Sequence, residues 1–211
     1  MTRSGASALA LLLAIGLAGA AQARPDPLAV DWADKPDRAQ ELAALARVRG
    51  RPARAAARCT PEADGRLQAC RTVLESPKRS GAAEALQALV PLYRLRPGAP
   101  TPEMLDGDVI VSVSTLEVDV PPAWPDEDGS FAIRWPPGSL AKAGGEVLID
   151  CIAGRTGSLY DCQVLAETPA DLGFGWKALR LTPFMRLTPA RKDGKPAQSN
   201  VTFPLRFPAA P

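Results

Sequence analysis

Apolar and polar residues alternate on both sides of a Thr-Gly pair in the second half of the chain. The apolar positions that share one face are Val147, Ile149 and Cys151 before the pair and Tyr160, Cys162 and Val164 after it. In a β-strand, every second side chain points to the same face of the sheet. The alternation therefore predicts an antiparallel hairpin with one face in a hydrophobic core.

A helix and a third strand are predicted after this hairpin. The residues with helical spacing are Phe174, Ala178, Leu181 and Met185. Pro183 limits this helix to two or three turns. The core positions of the alternating last strand are Val201, Phe203, Leu205 and Phe207. Together with a short leading helix, these elements predict an α+β domain.

The same pattern occurs twice along the chain, at a constant offset of 92 positions. Cys59 and Cys70 enclose an Asp-Gly pair, just as Cys151 and Cys162 enclose the Thr-Gly pair. Other matched residues are Trp32 and Trp124, Glu75 and Glu167, Pro77 and Pro169, Gly81 and Gly173, Arg94 and Arg186, and Val109 and Val201. Because no insertion breaks the register from Trp32 to Phe207, we interpret the chain as a tandem duplication of one domain.

We place the first copy of the domain at residues 24–118 and the second copy at residues 119–211. The first copy is the degenerate one, because Ala55 and Ala57 stand where the second copy has Val and Ile. Smaller side chains bury less apolar area. We therefore expect the first copy to have the smaller core.

Residues 1–23 have the features of a secretory signal peptide. They combine Arg3, an apolar run at residues 8–20 and the sequence Ala21-Gln22-Ala23, after which a signal peptidase cuts. The alternative is an uncleaved membrane anchor, but a spanning helix needs roughly 20 apolar residues and this run is shorter. We expect cleavage before Arg24 and export from the cytoplasm.

Charge and composition argue against several classes of partner. The chain has 25 Lys and Arg residues, 23 Asp and Glu residues, no His and a formal net charge of +2. This balance gives no basis for binding nucleic acid or an anionic membrane. We expect no small-molecule substrate either.

The four cysteines are predicted to form two disulfides. In an oxidising compartment, an even number of cysteines at a repeated spacing indicates disulfides. A zinc site is the alternative, yet zinc ligands usually come in close C-x2-4-C pairs and the chain has no His. Because directly opposed strand residues lie within disulfide reach, centring each hairpin on its turn pairs Cys59 with Cys70 and Cys151 with Cys162. We expect no metal ion.

The repeated Glu75 and Glu167 are the candidates for acid–base catalysis in a chain without His. A carboxylate just before a Pro turn and a helix start more commonly accepts hydrogen bonds from backbone N–H groups, and we favour this capping role. We expect Arg94 and Arg186 to bind carbonyls or carboxylates. We therefore predict that the protein is not an enzyme and uses no cofactor.

Five short motifs occur in order in the second copy. They are G-x-V at Gly145–Val147, G-x-L-x-x-C at Gly157–Cys162, E-x-P at Glu167–Pro169, GFG at Gly173–Gly175 and V-x-x-P-x-x-F at Val201–Phe207. In this order they resemble the disulfide-bearing form of the TonB C-terminal domain. The likeness is specific from Pro121 to Phe207, and from Trp32 to Thr115 it rests on the internal repeat. It implies two tandem domains, each with about two helices packed on a three-stranded antiparallel sheet.

The resemblance also implies a periplasmic protein whose last strand pairs with an extended peptide of an outer-membrane transporter. The predicted binding edge consists of Asn200, Val201, Thr202, Phe203, Leu205, Arg206 and Phe207. In this mode of recognition the peptide joins the sheet through backbone hydrogen bonds. Pro204 has no N–H group and marks the strand as an edge strand.

Departures from the family define the alternatives. TonB itself transduces energy through a membrane anchor with an essential His, whereas this chain has no His. We therefore expect an adaptor or decoy in TonB-type transport, and an anchored energy transducer only if the signal is not cleaved. The other alternative is a structural cell-envelope protein in which the last strands of the two copies pair with each other.

Overall fold

Two antiparallel three-stranded sheets, one in each half of the chain, form the centre of the structure. In this computed structural model, residues 30–50, 52–125 and 144–209 are described. The strands are β1 (Trp32–Asp34), β2 (Arg54–Pro61), β3 (Leu67–Ser76), β4 (Arg94–Leu95), β5 (Val109–Ser114), β6 (Gly145–Ala153), β7 (Leu159–Thr168), β8 (Arg191–Lys192), β9 (Lys195–Pro196) and β10 (Ser199–Phe207). The α-helices are α1 (Arg38–Leu45), α2 (Ala82–Leu89) and α3 (Phe174–Leu181), and 3-10 turns occupy Val90–Leu92, Glu103–Leu105 and Thr182–Phe184.

The strand order is the same in both sheets. β2 lies between β3 and β5, and β6 lies between β7 and β10, with antiparallel pairing throughout. The pairs β1–β4 and β8–β9 form small two-stranded additions. The architecture is α+β, in which the hairpin and the last strand of each half make one sheet.

Corresponding elements of the two halves are separated by the offset found in the sequence. β3, α2 and the 3-10 turn that follows α2 reappear 92 residues later as β7, α3 and the 3-10 turn that follows α3, with the same bounds. β2 and β5 correspond to β6 and β10, whose bounds differ by at most two residues. The expected leading helix of the second copy and the signal peptide at residues 1–23 lie outside the described residues.

The helices pack on the outer faces of the two sheets. α1 and α2 cover the face of β2 that carries Ala57 and Cys59, and α3 covers the face of β6 that carries Ile149 and Cys151. These are the faces that the alternating pattern assigns to the core. The layers therefore run helix, sheet, sheet, helix. None of the helices in the described part of the chain is long and apolar enough to span a bilayer.

The inner faces of the two sheets pack against each other. Their interface contains Ala56, Leu74, Met104, Leu105, Leu148 and Leu165. β6 is consequently buried on both faces, which explains why Leu148 and Ile152 place apolar side chains on the side of the strand that simple alternation would leave polar. The two halves therefore share an apolar interface in addition to their own cores.

The loops of both hairpins are longer than the two-residue turns that the sequence predicts. Pro61 pairs with Leu67 and Ala153 pairs with Leu159, so residues 62–66 and 154–158 form the loops. Each hairpin has two β-bulges in its returning strand. The bulge nearer the loop compensates for the longer loop, because it adds one residue to the returning strand.

The bulges bring the cysteines into alignment. The bulge residues, Ala69 in β3 and Asp161 in β7, both have a φ of 49°. Each directly precedes the second cysteine of its hairpin, and the structure contains the two predicted disulfides, Cys59–Cys70 and Cys151–Cys162, each with a Cα–Cα distance of 4.1 Å. The predicted pairing is thus confirmed, although the turn geometry behind it was wrong in detail.

A repeated glycine attaches each hairpin loop to the segment after the helix. The Leu187 N–H donates to the Gly157 carbonyl at 2.9 Å, and a Cβ on Gly157 would lie 1.8 Å from the Leu187 carbonyl oxygen. In the first half, Gly65 makes the same contact with Leu95, where a Cβ would lie 2.0 Å from the carbonyl oxygen. Only a residue without a side chain allows this approach.

We expect Gly157→Ala to lower the free energy of unfolding by at least about 1 kcal/mol more than Gly194→Ala does. Both glycines have a positive φ, 78° and 72°, but a Cβ on Gly194 would meet nothing within 4 Å. The difference therefore isolates the clash with Leu187. Urea unfolding of the two variants measures it, and equal losses would show that the close approach is dispensable.

Candidate functional site

β10 is an outer strand of the second sheet. It pairs with β6 along its nine residues, from Ser199 opposite Ala153 to Phe207 opposite Gly145. Within the described residues, no strand pairs with its other edge. An unpaired edge presents a row of backbone N–H and C=O groups to which another chain can bind.

Most side chains of β10 are engaged within the protein. Phe203, Leu205 and Phe207 lie in the core beneath α3, and Val201 packs at the margin of that core. On the other face, Arg206 Nε lies 2.9 Å from Glu146 Oε1 in an exposed ion pair. The strand is therefore held in place by its side chains, and its backbone edge is the part that faces outward.

A buried carboxylate supports β10 from the neighbouring strand. Asp150 of β6 is fully buried, and its Oδ2 accepts hydrogen bonds from Asn200 Nδ2 at 2.9 Å and from Thr202 Oγ1 at 2.8 Å. Its Oδ1 accepts a bond from Arg54 Nε at 2.5 Å. Asn200 and Thr202 of the candidate binding strand are thus hydrogen-bonded to a carboxylate whose charge Arg54 of the first sheet neutralises.

Arg54 of β2 is the link between the two halves. Its side chain is buried, and Nη1 donates to Asp161 Oδ2 at 2.6 Å while Nη2 donates to the Asp161 backbone carbonyl. Asp161 is the bulge residue of β7, and a bulge removes a carbonyl from the regular ladder of the sheet. Ser76 Oγ adds a bond to Asp161 Oδ2 at 2.8 Å. One guanidinium therefore binds two carboxylates of the other half.

The pKa values of the two carboxyls move in opposite directions. Burial raises the pKa of Asp150, and the donors around it only partly offset this effect. Burial acts in the same sense on Asp161, but the hydrogen bonds from Arg54 and Ser76 outweigh it and lower the pKa of that carboxyl. The ionised form of Asp150 therefore depends on Arg54 for its stability.

Neither Arg54, Asp150 nor Asp161 was identified as a site residue from the sequence. The alternating pattern assigns only one face of each strand to the core, and these three side chains lie elsewhere. A signal does exist in the sequence, because Leu148 and Ile152 flank Asp150 on the supposedly polar face of its strand. Two apolar residues around one charge indicate a second buried face.

The repeated glutamates cap the helices, as the sequence predicts. Glu167 accepts hydrogen bonds from the N–H groups of Phe174 at 3.0 Å and Gly175 at 2.9 Å. Glu75 accepts one from the N–H of Gly81 at 3.0 Å. Burial alone would raise the pKa of Glu75, yet the backbone N–H groups at the start of α2 lower it. These contacts assign a structural role to both carboxylates.

The predicted carbonyl-binding role of Arg186 is also observed. Its Nη1 donates to the carbonyls of Pro183 at 2.9 Å and Met185 at 2.7 Å. Among the described residues, no group of three or more His, Cys, Asp or Glu side chains is arranged to hold a metal ion. All four cysteines are in disulfides, which fits an exported protein.

A cleft of about 530 Å³ lies beside the first residue of β10. Its lining includes Thr115, Glu117, Arg155, Lys192, Lys195 and Gln198. Glu117 binds Lys192 at 2.5 Å and Arg38 at 3.0 Å, and hydrogen bonds from these two cations lower its pKa. Arg155 and Lys195 give the rest of the cleft a cationic lining.

Comparison with known proteins yields no match, whether with protein-family models, curated proteins or solved structures. The candidate site is therefore defined by geometry alone: an unpaired strand edge, side chains that fix the strand, and a buried ion pair beneath it.

We expect Arg54→Met to lower the free energy of unfolding by about 3–5 kcal/mol, because it leaves Asp150 buried without a compensating charge. The matched control is Arg58→Met. Arg58 binds Asp108 at 2.6 Å within the first half, and both side chains are partly exposed. We expect this control to lose about 1–2 kcal/mol. Equal losses in urea unfolding would contradict a special role for the buried pair.

The loss caused by Arg54→Met should also depend on pH. Without the guanidinium, the folded-state pKa of Asp150 rises further above its unfolded value, and such a carboxyl favours the folded state at low pH and costs stability as the pH rises through the folded pKa. We compare Arg54→Met with the double variant Arg54→Met/Asp150→Asn. Arg54→Met should have the lower free energy of unfolding at about pH 7, and this difference should shrink at about pH 4. A constant difference across this range would exclude the carboxylate as its cause.

Proposed function

We propose that the protein is a periplasmic, TonB-like binding module that captures an extended peptide of an envelope protein, such as an outer-membrane transporter, in TonB-type transport. The peptide adds to the second sheet as a further strand next to β10. The observation that carries the proposal is the unpaired edge of β10 in the described part of the chain. Strand addition at a sheet edge is an established mode of peptide recognition.

Pro204 indicates which backbone groups of β10 a peptide would use. A proline lacks the N–H group and is tolerated in a strand where that group would point away from the neighbouring strand. Because backbone direction alternates along an antiparallel strand, the N–H groups of Asn200, Thr202 and Arg206 point to the same side as position 204. We assign these three groups as the donors to the peptide.

The buried support of β10 favours binding because it fixes the strand in advance. Asn200 and Thr202 are held by Asp150, and Phe203 and Phe207 are held in the core. A strand that is already ordered loses little conformational entropy when a peptide docks. The cationic cleft beside Ser199 would further favour a peptide with an acidic residue at that end.

The structural alternative requires the last strands of the two halves to pair. Within the described residues, β5 pairs with β2, β10 pairs with β6, and the two last strands lie in different sheets. This arrangement favours a binding role over mutual edge protection. The anchored-transducer alternative depends on residues 1–23, which lie outside the described residues.

We expect Arg206→Pro to weaken peptide binding by at least about tenfold, because it removes one outward N–H donor. Arg206→Ala is the matched control, since it keeps the N–H and removes only the exposed side chain with its bond to Glu146. The probes are fluorescently labelled synthetic peptides that copy extended periplasmic segments of outer-membrane transporters, and anisotropy reports their affinity.

Strand addition would be refuted if Arg206→Pro bound these peptides as tightly as the parent while its circular-dichroism spectrum was unchanged. Amide exchange provides a second readout. Peptide should slow exchange at Thr202 and Arg206, and protection confined to other elements would place the binding site elsewhere.

A further inference from the structure

The outer surface of α3 and of the 3-10 turn after it carries two prominent aromatic side chains. Phe184 is 82% exposed and Trp176 is 62% exposed. The opposite side of α3 packs on the second sheet through Phe174 and Ala178. The aromatic pair therefore projects from the end of the layered structure, on the side away from the interface between the sheets.

A cationic side chain lies over this aromatic surface. The guanidinium carbon of Arg180 lies 4.8 Å from the centroid of the Trp176 ring. The helix and the turn, residues 174–184, contain Lys177 and Arg180 and no Asp or Glu. The nearest carboxylate in the preceding strand, Glu167, is engaged by the N–H groups at the start of α3. We refer to Trp176, Arg180 and Phe184 as the aromatic–cationic face.

The corresponding surface of the first half has a different character. At the matched positions of α2 and its 3-10 turn stand Glu84, Ala88 and Leu92, so this surface has neither the aromatic rings nor the cation. The two halves share their order of elements at this point, so the fold does not require aromatic residues there. Exposed aromatic side chains that the fold does not need indicate an interaction surface.

We propose that the aromatic–cationic face docks on a bilayer surface that carries anionic headgroups. Trp is favoured at the boundary between headgroups and acyl chains, and Arg and Lys are attracted by anionic lipids. Both aromatic side chains project outward from α3 and its 3-10 turn, which suits contact with a broad surface.

The aromatic–cationic face differs in charge from the chain as a whole. The nearly balanced totals of basic and acidic residues gave no basis for binding to an anionic membrane. Residues 174–184 nevertheless carry two cationic residues and no acidic one. Local charge next to exposed aromatic side chains, rather than net charge, governs interfacial binding.

Vesicle co-sedimentation tests the proposal with the full chain. The parent should bind vesicles that contain phosphatidylglycerol and phosphatidylcholine, and bind pure phosphatidylcholine vesicles much less. Trp176→Glu/Phe184→Ser should reduce binding to the anionic vesicles by at least about tenfold. Leu92→Ser, at the position that matches Phe184, is the control and should bind like the parent. All three substitutions lie at exposed positions, and thermal unfolding verifies that each variant folds.

Two results would overturn the proposal: equal binding of the parent to both types of vesicle, or unchanged binding by the double variant. Sedimentation velocity tests whether a second copy of the chain binds this face instead. If the parent is a dimer and the double variant is a monomer, the membrane proposal is wrong and the face is a dimer interface. Peptide binding at β10 should be the same in the double variant and the parent, so the membrane proposal and the strand-addition proposal fail independently.

Discussion

The buried ion pair between Arg54 and Asp150 determines how the two halves of the protein fit together. Both side chains are excluded from water, and a buried charge is tolerated only when it is paired and hydrogen-bonded. The apolar contacts around the pair have no directional preference and would accept several alignments of the sheets. A shift of one sheet past the other would leave a charge without its partner, so we interpret the pair as the interaction that sets their alignment.

The same interaction connects the interface with the candidate binding strand. Asp150 accepts hydrogen bonds from Arg54 on one side and from Asn200 and Thr202 of β10 on the other. The bulge at Asp161 supplies the second carboxylate and a carbonyl to the same guanidinium. The first half of the chain is therefore part of the support of the edge that we propose as the peptide site.

The two halves of the chain share the features that stabilise their local structure and differ in the residues that form their surfaces. Both halves contain the disulfide, the capping glutamate and the glycine that approaches a carbonyl. They differ at positions where a side chain faces the other half or the solvent. Ala69 and Glu84 of the first half correspond to Asp161 and Trp176 of the second half. The shared features stabilise local geometry, whereas the differences create the interface and the aromatic–cationic face.

The sequence by itself determined the local elements, because these depend on spacing along the chain. Period-two alternation located β6, β7 and β10, helical spacing located α3, the offset of 92 located β2, β3, α2 and β5, and the repeated cysteine spacing indicated both disulfides. It also indicated β10 as an edge strand through Pro204. Only the tertiary structure decided that the two sheets pack face to face, that Arg54 reaches Asp150 and Asp161, and that Trp176 and Phe184 stay exposed. The physical reason is that alternation shows which side of a strand is apolar but not which surface will cover it, and Arg54 and Asp150 meet although 96 positions separate them in the chain.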